Sequence, residues 1–370
     1  MMSSQTAPFS KAVVSAMRKL YPERLADKSW DNTGLLLEAP YNPQRRQRNS
    51  ALLTVDLTKA VADEAIETKQ SIVVAYHPII FKGLKALSLG DSQQQSLLRL
   101  ATEGISVYCP HTAVDAASGG LGDWLADIVT GDAIEQPPQE LLQGSPVEGP
   151  PSVPPGEETD PFVLPQRPSF ILQPHPSGLK FIQRDLKLAS IPHTRSAIKP
   201  NEDPSSPGAG MGRVVRFAQP QPLAHLIDRI ARGLGQPKGF PVAIPQGTAI
   251  EDISIRSVGI CAGSGGSLFA GLDVDLLFTG ELSHHEALAA IERGQSVVTM
   301  FHSNTERGFL HSVLSNQLLQ AVREEWETIR SGIREDGRLE EALKDTSVEV
   351  EVSERDRDPF GLVIAQSAGG

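Results

Sequence analysis

The chain has 370 residues, of which 39% are hydrophobic and 21% charged, and its formal net charge is −11. That length accommodates two domains of ordinary size, each with its own core, and the composition is that of a globular protein rather than a disordered or fibrous one. The acidic balance, with no basic stripe, argues against a nucleic-acid backbone as the main partner, and no run approaches the ~18–20 apolar residues of a membrane span.

Near the N-terminus Lys11, Arg18, Lys19 and Arg24 are followed closely by Glu23 and Asp27, an acid content unlike a mitochondrial transit peptide. Val13, Val14, Met17 and Leu20 fall on one face of a helix, and an amphipathic first helix is the better reading. Trp30, Asp31 and Asn32 then form a polar turn running into an apolar strand, and side chains of this type bond their own backbone in such turns. Only two cysteines occur, Cys109 and Cys261, each in an apolar run. No disulfide framework is expected, and a reducing compartment follows. The cytoplasm is the expected location, with mitochondrial or nuclear placement left open.

An internal repeat follows. Residues 56–77 align without a gap with 281–302, pairing Leu57 with Leu282, Ala62 with Ala287, Gln70 with Gln295 and His77 with His302. Each copy reads as strand, acidic turn with a capping Thr58 or Ser283, helix, short turn, buried strand, then His. Each His therefore falls at the carboxyl end of a strand, where open α/β sheets place their ligands. A repeated βαβ pattern produces some chance identity, with each His a satisfied strand-end residue. A gapless match that ends in His twice, with a carboxylate beyond each, favours a shared cleft. Pro78 stops the first strand and fixes the backbone beside His77.

A helix over 91–103 leads to a strand over 105–109 and the turn Pro110-His-Thr-Ala-Val-Asp115. Asp115 competes between two roles, helix cap and metal ligand. It ranks above His111 as a ligand because hard divalent ions favour carboxylate oxygen, with His111 orienting it. Residues 137–168 hold ten of the 28 prolines and show no periodicity, which predicts a linker or surface insert. Structure resumes patchily at 169–172 and 185–191, then with a strand over 212–217 and an amphipathic helix over 223–234. A strand entering Gly-Ser-Gly-Gly-Ser at 263–267 could cradle an anion with its backbone N–H groups, although it lacks the Lys of a Walker loop and the Rossmann spacing. A tight turn there is at least as good a reading.

In the second copy His284 and His285 stand opposite Lys59 and Ala60 and break the repeat at one spot. His302 and Glu306 stand four apart at the predicted start of a helix reaching to about residue 330, so both face one way. They can hold one metal, or the Glu can bridge two. The tail predicts a charged helix over 337–345, a half-exposed or edge strand over 347–352, and a polar turn over 353–358.

With Trp30-Asp-Asn-Thr-Gly34, Tyr76-His-Pro78, Pro110-His-Thr-Ala-Val-Asp115, Gly280-Glu281 and His302-Ser-Asn-Thr-Glu-Arg-Gly308 in this order, the chain resembles the NIF-three-like family, the GTP cyclohydrolase 1 type 2 homologues. The resemblance implies two pseudo-symmetric α/β domains, a dinuclear metal site in the cleft between them and a toroidal homo-hexamer. It places the metal ligands on His77, Asp115, His302 and Glu306, holding two divalent ions such as zinc, iron, manganese or cobalt. Many bacterial members have two adjacent histidines where this chain has Tyr76-His77, so one ion is expected to be held more weakly or completed by water. The Tyr-His-Pro form and Arg355-Asp-Arg-Asp-Pro359 resemble the eukaryotic branch. The expected division is 1–134 and 181–370 as the two domains, with 135–180 as the insert. The expected function is metal-dependent hydrolysis of a small phosphorylated or nucleotide-like substrate, with Glu281 or His285 giving acid–base help. The alternative is a metal-containing ring that engages a protein partner as a regulatory factor.

Overall fold

The computed structural model describes residues 6–131, 170–174, 190–332 and 339–365. The Pro-rich insert lies outside these residues, apart from a short strand at its end. After the helix Pro8–Leu20, the first half contains β1 (Gly34–Leu37), β2 (Ser50–Thr54), β3 (Ile72–Ala75) and β4 (Ser106–Cys109). β2, β3 and β4 run parallel, which requires crossovers. The helices Lys59–Glu67 and Ser92–Glu103 supply them. Thr58 and Asp91 cap these helices by accepting the N–H groups of Val61 and Gln94. β1 pairs antiparallel with β4.

The chain continues through β5 (Phe170–Pro174), β6 (His193–Ser196), β7 (Lys199–Pro200), β8 (Gly210–Met211) and β9 (Arg213–Pro222). β10 (Val242–Ala243), β11 (Ser254–Ser264), β12 (Leu276–Glu281) and β13 (Ser296–Thr299) follow, then β14 (Glu349–Val352) and β15 (Gly361–Ala365). The second sheet has the order β10-β13-β12-β11-β9-β6, with β11, β12 and β13 parallel at its centre. The helix His284–Glu292 joins β12 to β13, and Ser283 and Glu286 close a reciprocal cap at its start. The strand–helix–strand unit carrying His77 thus has a counterpart carrying His302, each built from parallel neighbours.

Side chains alternate across both sheets, as a period of two requires. Ala51, Leu53, Ile72, Val74, Leu276, Phe278 and Val298 share one large core, which lies between the sheets and includes Phe9, Val13 and Met17 of the first helix and Trp326. Leu52, Val73 and Val107 face outward onto the helices Lys59–Glu67 and Ser92–Glu103. Leu277 and Val297 face outward beside Ala290. With both faces covered, the central strands read as unbroken apolar runs, the signature of a buried parallel sheet. Arg213, 1% exposed, joins the halves through a bidentate pair with Asp123 at 2.7 and 2.8 Å.

Three expectations are corrected. The C-terminal segment does not stay with the second domain, because β14 pairs parallel with β2 and forms the edge of the first sheet. Its alternating Val and Glu side chains suit that half-exposed position. The long helix after Glu306 is broken into Asn304–Phe309, a π-helical turn at Leu310–Leu314 and Ser315–Gly332, an irregularity that no side-chain period reveals. Asp115 does not cap a helix; it lies inside the one-turn helix Thr112–Ala116.

Candidate metal centre

The site forms where the two repeated units end. His77 follows β3 and its N–H bonds to the carbonyl of Val55 at 3.0 Å. On the other side β13 ends, Phe301 takes a left-handed φ of +66°, and His302 turns into the cleft. A non-glycine residue in that region is strained and persists only where surrounding packing enforces it. His302 lies in the turn before the helix Asn304–Phe309 rather than in its first turn. Its carbonyl nonetheless accepts the N–H of Thr305, so His302 and Glu306 still meet.

Glu306 is 3% exposed and stands between the two imidazoles. Its Oε1 is 3.4 Å from His302 Nε2 and its Oε2 is 3.4 Å from His77 Nε2. The two rings are 5.3 Å apart. Among the described residues these three bring one ligand atom each within 4.8 Å of one another. Glu306 Oε2 has no hydrogen-bond donor. A buried carboxylate needs a cation beside it; without metal, protonated His77 at 3.4 Å serves, and a metal ion would take its place. Two ligand atoms each ~2.1 Å from one ion at a tetrahedral angle stand about 3.4 Å apart, which is the spacing of both pairs. The trio fits a metal ion.

What the imidazoles do with their other nitrogen is equally telling. His77 Nδ1 is 2.9 Å from Asp56 Oδ1, and His302 Nδ1 is 2.9 Å from Glu281 Oε1. Asp56 and Glu281 are equivalent positions of the repeat. A carboxylate on Nδ1 fixes the ring and leaves Nε2 as the ligand atom. Glu281, expected to help with proton transfer, is therefore placed to orient His302. Burial opposes the charged form of His77, but Glu306 and Asp56 outweigh it and raise its pKa to about 11. Burial likewise raises Asp56, yet the His77 hydrogen bond prevails and its pKa is lowered.

His111 repeats this arrangement, with Nδ1 2.7 Å from Asp31 Oδ1. Asp31 Oδ2 also accepts the N–H of Thr112, so the polar turn at Trp30 supports the site as well as bonding Asn32 within itself. The His111 ring lies 5.5 Å from that of His77 and 5.3 Å from Tyr76. The partner that holds His111 is Asp31, eighty residues earlier, a contact no local spacing reveals. Asp115 itself stands beside the trio without belonging to it. Its Oδ1 accepts the Tyr76 hydroxyl at 2.6 Å. Burial pushes its pKa up to about 6, against the pull of His111 and Tyr76. His285 lies on the exposed first turn of its helix, its ring 5.3 Å from His284.

The glycine-rich run lines the cleft, though not as an N–H cradle at its first residue. Gly263 N–H donates to Thr305 Oγ1 at 2.9 Å. Its φ is +57°, and a Cβ there would stand 2.8 Å from Glu306 Oε1 and 2.9 Å from His302 Nε2. The glycine is needed because the backbone itself forms one wall of the metal pocket. Behind Glu306, the buried Arg307 pairs with Asp356, whose Oδ2 also accepts the Val55 N–H at 2.7 Å. Ser303 donates to Asp358 at 2.7 Å. The turn after β14 thus locks the helix of Glu306 to the end of β2.

Comparison with known proteins bears on this arrangement. The family model Duf34/NIF3 (NGG1p interacting factor 3) matches residues 10–336. Protein NIF3 homolog of Schizosaccharomyces pombe is 39% identical over 86% of this chain and 92% of its own length. NGG1-interacting factor 3 of Saccharomyces cerevisiae is 34% identical over 83% of this chain and 89% of its own. Among solved structures, Staphylococcus aureus protein SA1388 superposes with a TM-score of 0.56 at 17% identity, covering 96% of this chain and 98% of that one. That likeness is one of fold.

Proposed function

Because the chain belongs to the Duf34/NIF3 family, we propose that it is a metal-dependent hydrolase acting on a small phosphorylated or nucleotide-like substrate. The observation that carries this reading is Glu306, buried and donor-free on one oxygen, with an imidazole Nε2 at 3.4 Å from each of its two oxygens. Glu306, His77 and His302 would hold the two divalent ions of this reading. Asp115 would contribute the oxygen that Tyr76 does not engage. Zinc, iron, manganese and cobalt all suit this nitrogen–oxygen set.

Bound divalent ions supply a Lewis acid and lower the pKa of water toward neutrality. The protein's own groups do the rest. Asp56 and Glu281 hold the imidazoles in one tautomer and orientation. Glu281, 52% exposed at its side chain, and His285 are the groups proposed to exchange protons with solvent. The 263–267 run forms a wall against which substrate is placed. A homo-hexamer and a cytoplasmic location complete the reading, and light scattering and fractionation test them.

Metal content of gently purified protein, wild type beside His302→Ala, is the first experiment. About two ions per chain, falling sharply in the variant, support the reading. Folded wild-type protein without metal, or undiminished turnover by metal-free protein, would end it. A second reading, a non-catalytic partner-binding factor, is favoured by the name of the Saccharomyces cerevisiae relative, NGG1-interacting factor 3. His302→Ala then leaves partner binding intact.

A further inference from the structure

The mouth of the cleft is aromatic and open. Trp30 is 50% exposed and Phe81 48% exposed, with ring centroids 6.0 Å apart and planes at 46°. Large aromatics so exposed, and next to each other, mark a binding surface more often than a solvated one. Trp30 and His111 stand nearly perpendicular with ring centroids 5.6 Å apart. His111 stands 5.5 Å from His77, and His77 stands 5.3 Å from His302. A run of ring contacts therefore leads from an open indole to the imidazoles around Glu306.

Both ends of this run are held. The Asn32 side-chain amide donates to the Ile80 carbonyl, which staples the turn bearing Trp30 to the segment bearing Phe81. Asp31 fixes His111 and Thr112 on the inner side. The exposed segment beyond Phe81 carries Lys82 and Lys85 and no acid before Asp91. In a chain of net charge −11, this is a locally positive rim beside an aromatic face.

We propose that Trp30 and Phe81 form a stacking platform for the planar ring of an anionic substrate, a nucleoside phosphate or an equivalent phosphorylated heterocycle. The exposed indole face takes the ring, Lys82 and Lys85 meet its negative charge, and the ring contacts through His111 set its reacting end toward Glu306. Stacking of this kind accepts any base, because every base presents a π-face. The inference rests on the proposed substrate class, and not on whether that substrate is hydrolysed.

Trp124 and Trp326, the other two tryptophans, are 3% and 2% exposed, and Trp124 packs on Phe309 of the Glu306 helix, so the emission change of Trp30→Phe is subtracted from that of wild type to isolate the signal of Trp30. The metal-loaded protein is titrated with each of the four nucleoside monophosphates and with ribose 5-phosphate, with affinities measured in parallel by equilibrium dialysis. The monophosphates are expected to quench emission. Trp30→Ala should weaken them by about five- to a hundredfold, Trp30→Phe should hold affinity within a few-fold, and ribose 5-phosphate should bind all three proteins alike. Equal nucleotide affinity in wild type and Trp30→Ala, or no binding of any nucleotide by the wild type, would overturn the platform. So would a Trp30→Ala protein that changes its oligomeric state while keeping its nucleotide affinity, which would mark the patch as a contact between copies. Monophosphates held through Trp30 but never turned over would remove them as substrates of the proposed hydrolysis and leave the platform standing.

Discussion

Gly263→Ala isolates the wall of the metal pocket from every other feature of the site. The substitution carries two costs that the structure separates. An alanine at φ +57° costs about 1–2 kcal/mol of backbone strain. The added methyl also stands 2.8 Å from Glu306 Oε1 and 2.9 Å from His302 Nε2, well inside van der Waals contact. Neither neighbour yields freely, since Glu306 is buried and His302 is held through Nδ1 by Glu281. Ligand distances in a working site hold to within ~0.2 Å, so metal affinity should fall at least the 10–100-fold typical of disturbing a ligand's support. Gly247→Ala is the control. It has φ +79° and nothing within 4 Å of the new methyl, so it carries the strain without the clash. Both variants should melt a few degrees below wild type in chelator, and only Gly263→Ala should lose zinc or manganese in calorimetric titration. A folded Gly263→Ala protein with wild-type metal affinity would refute the geometry argued for the pocket.

Other outcomes follow from the same contacts. Glu281→Gln and Asp56→Asn should each weaken metal binding by about 10–100-fold; Glu281→Gln with full metal occupancy and reduced turnover would instead make Glu281 a proton-transfer group. Asp356→Asn strips the charge opposite the buried Arg307 and should cost about 3–5 kcal/mol in denaturant unfolding; a change under 1 kcal/mol would show that the pair is not needed to hold the helix of Glu306. His77 keeps its proton up to about pH 11 against an ordinary 6.5. In metal-free protein its stabilising contribution is therefore complete below 6.5 and lost as pH rises toward 11. Metal must displace that proton, so affinity should rise about tenfold per pH unit below 11. Titrations at pH 6, 7 and 8 giving one affinity would contradict this.

Much of the architecture is legible in the amino-acid order. The gapless match of 56–77 with 281–302 predicts two parallel strand–helix–strand units, each with a histidine at a strand end, and the sheets contain both. The alternating Val and Glu of β14 announce a half-exposed strand. The four-residue spacing of His302 and Glu306 brings them together even though the helix begins two residues later than the spacing implied. These relations are local, carried by periods of two and 3.6 that any segment imposes on its own side chains.

Only the tertiary structure decided the rest. That Asp56 and Glu281 support imidazoles rather than merely turn the chain depends on each strand end folding back over its own histidine. That Asp31 supports His111, that β14 closes the first sheet, and that Gly263 lies against Glu306 depend on segments tens to hundreds of residues apart. Such contacts are selected by closure of the whole chain around one core, and no local period encodes them. The sequence by itself determined which residues have the chemistry to hold a metal; their meeting, and the carboxylates that aim them, came from packing two sheets against a shared layer of helices.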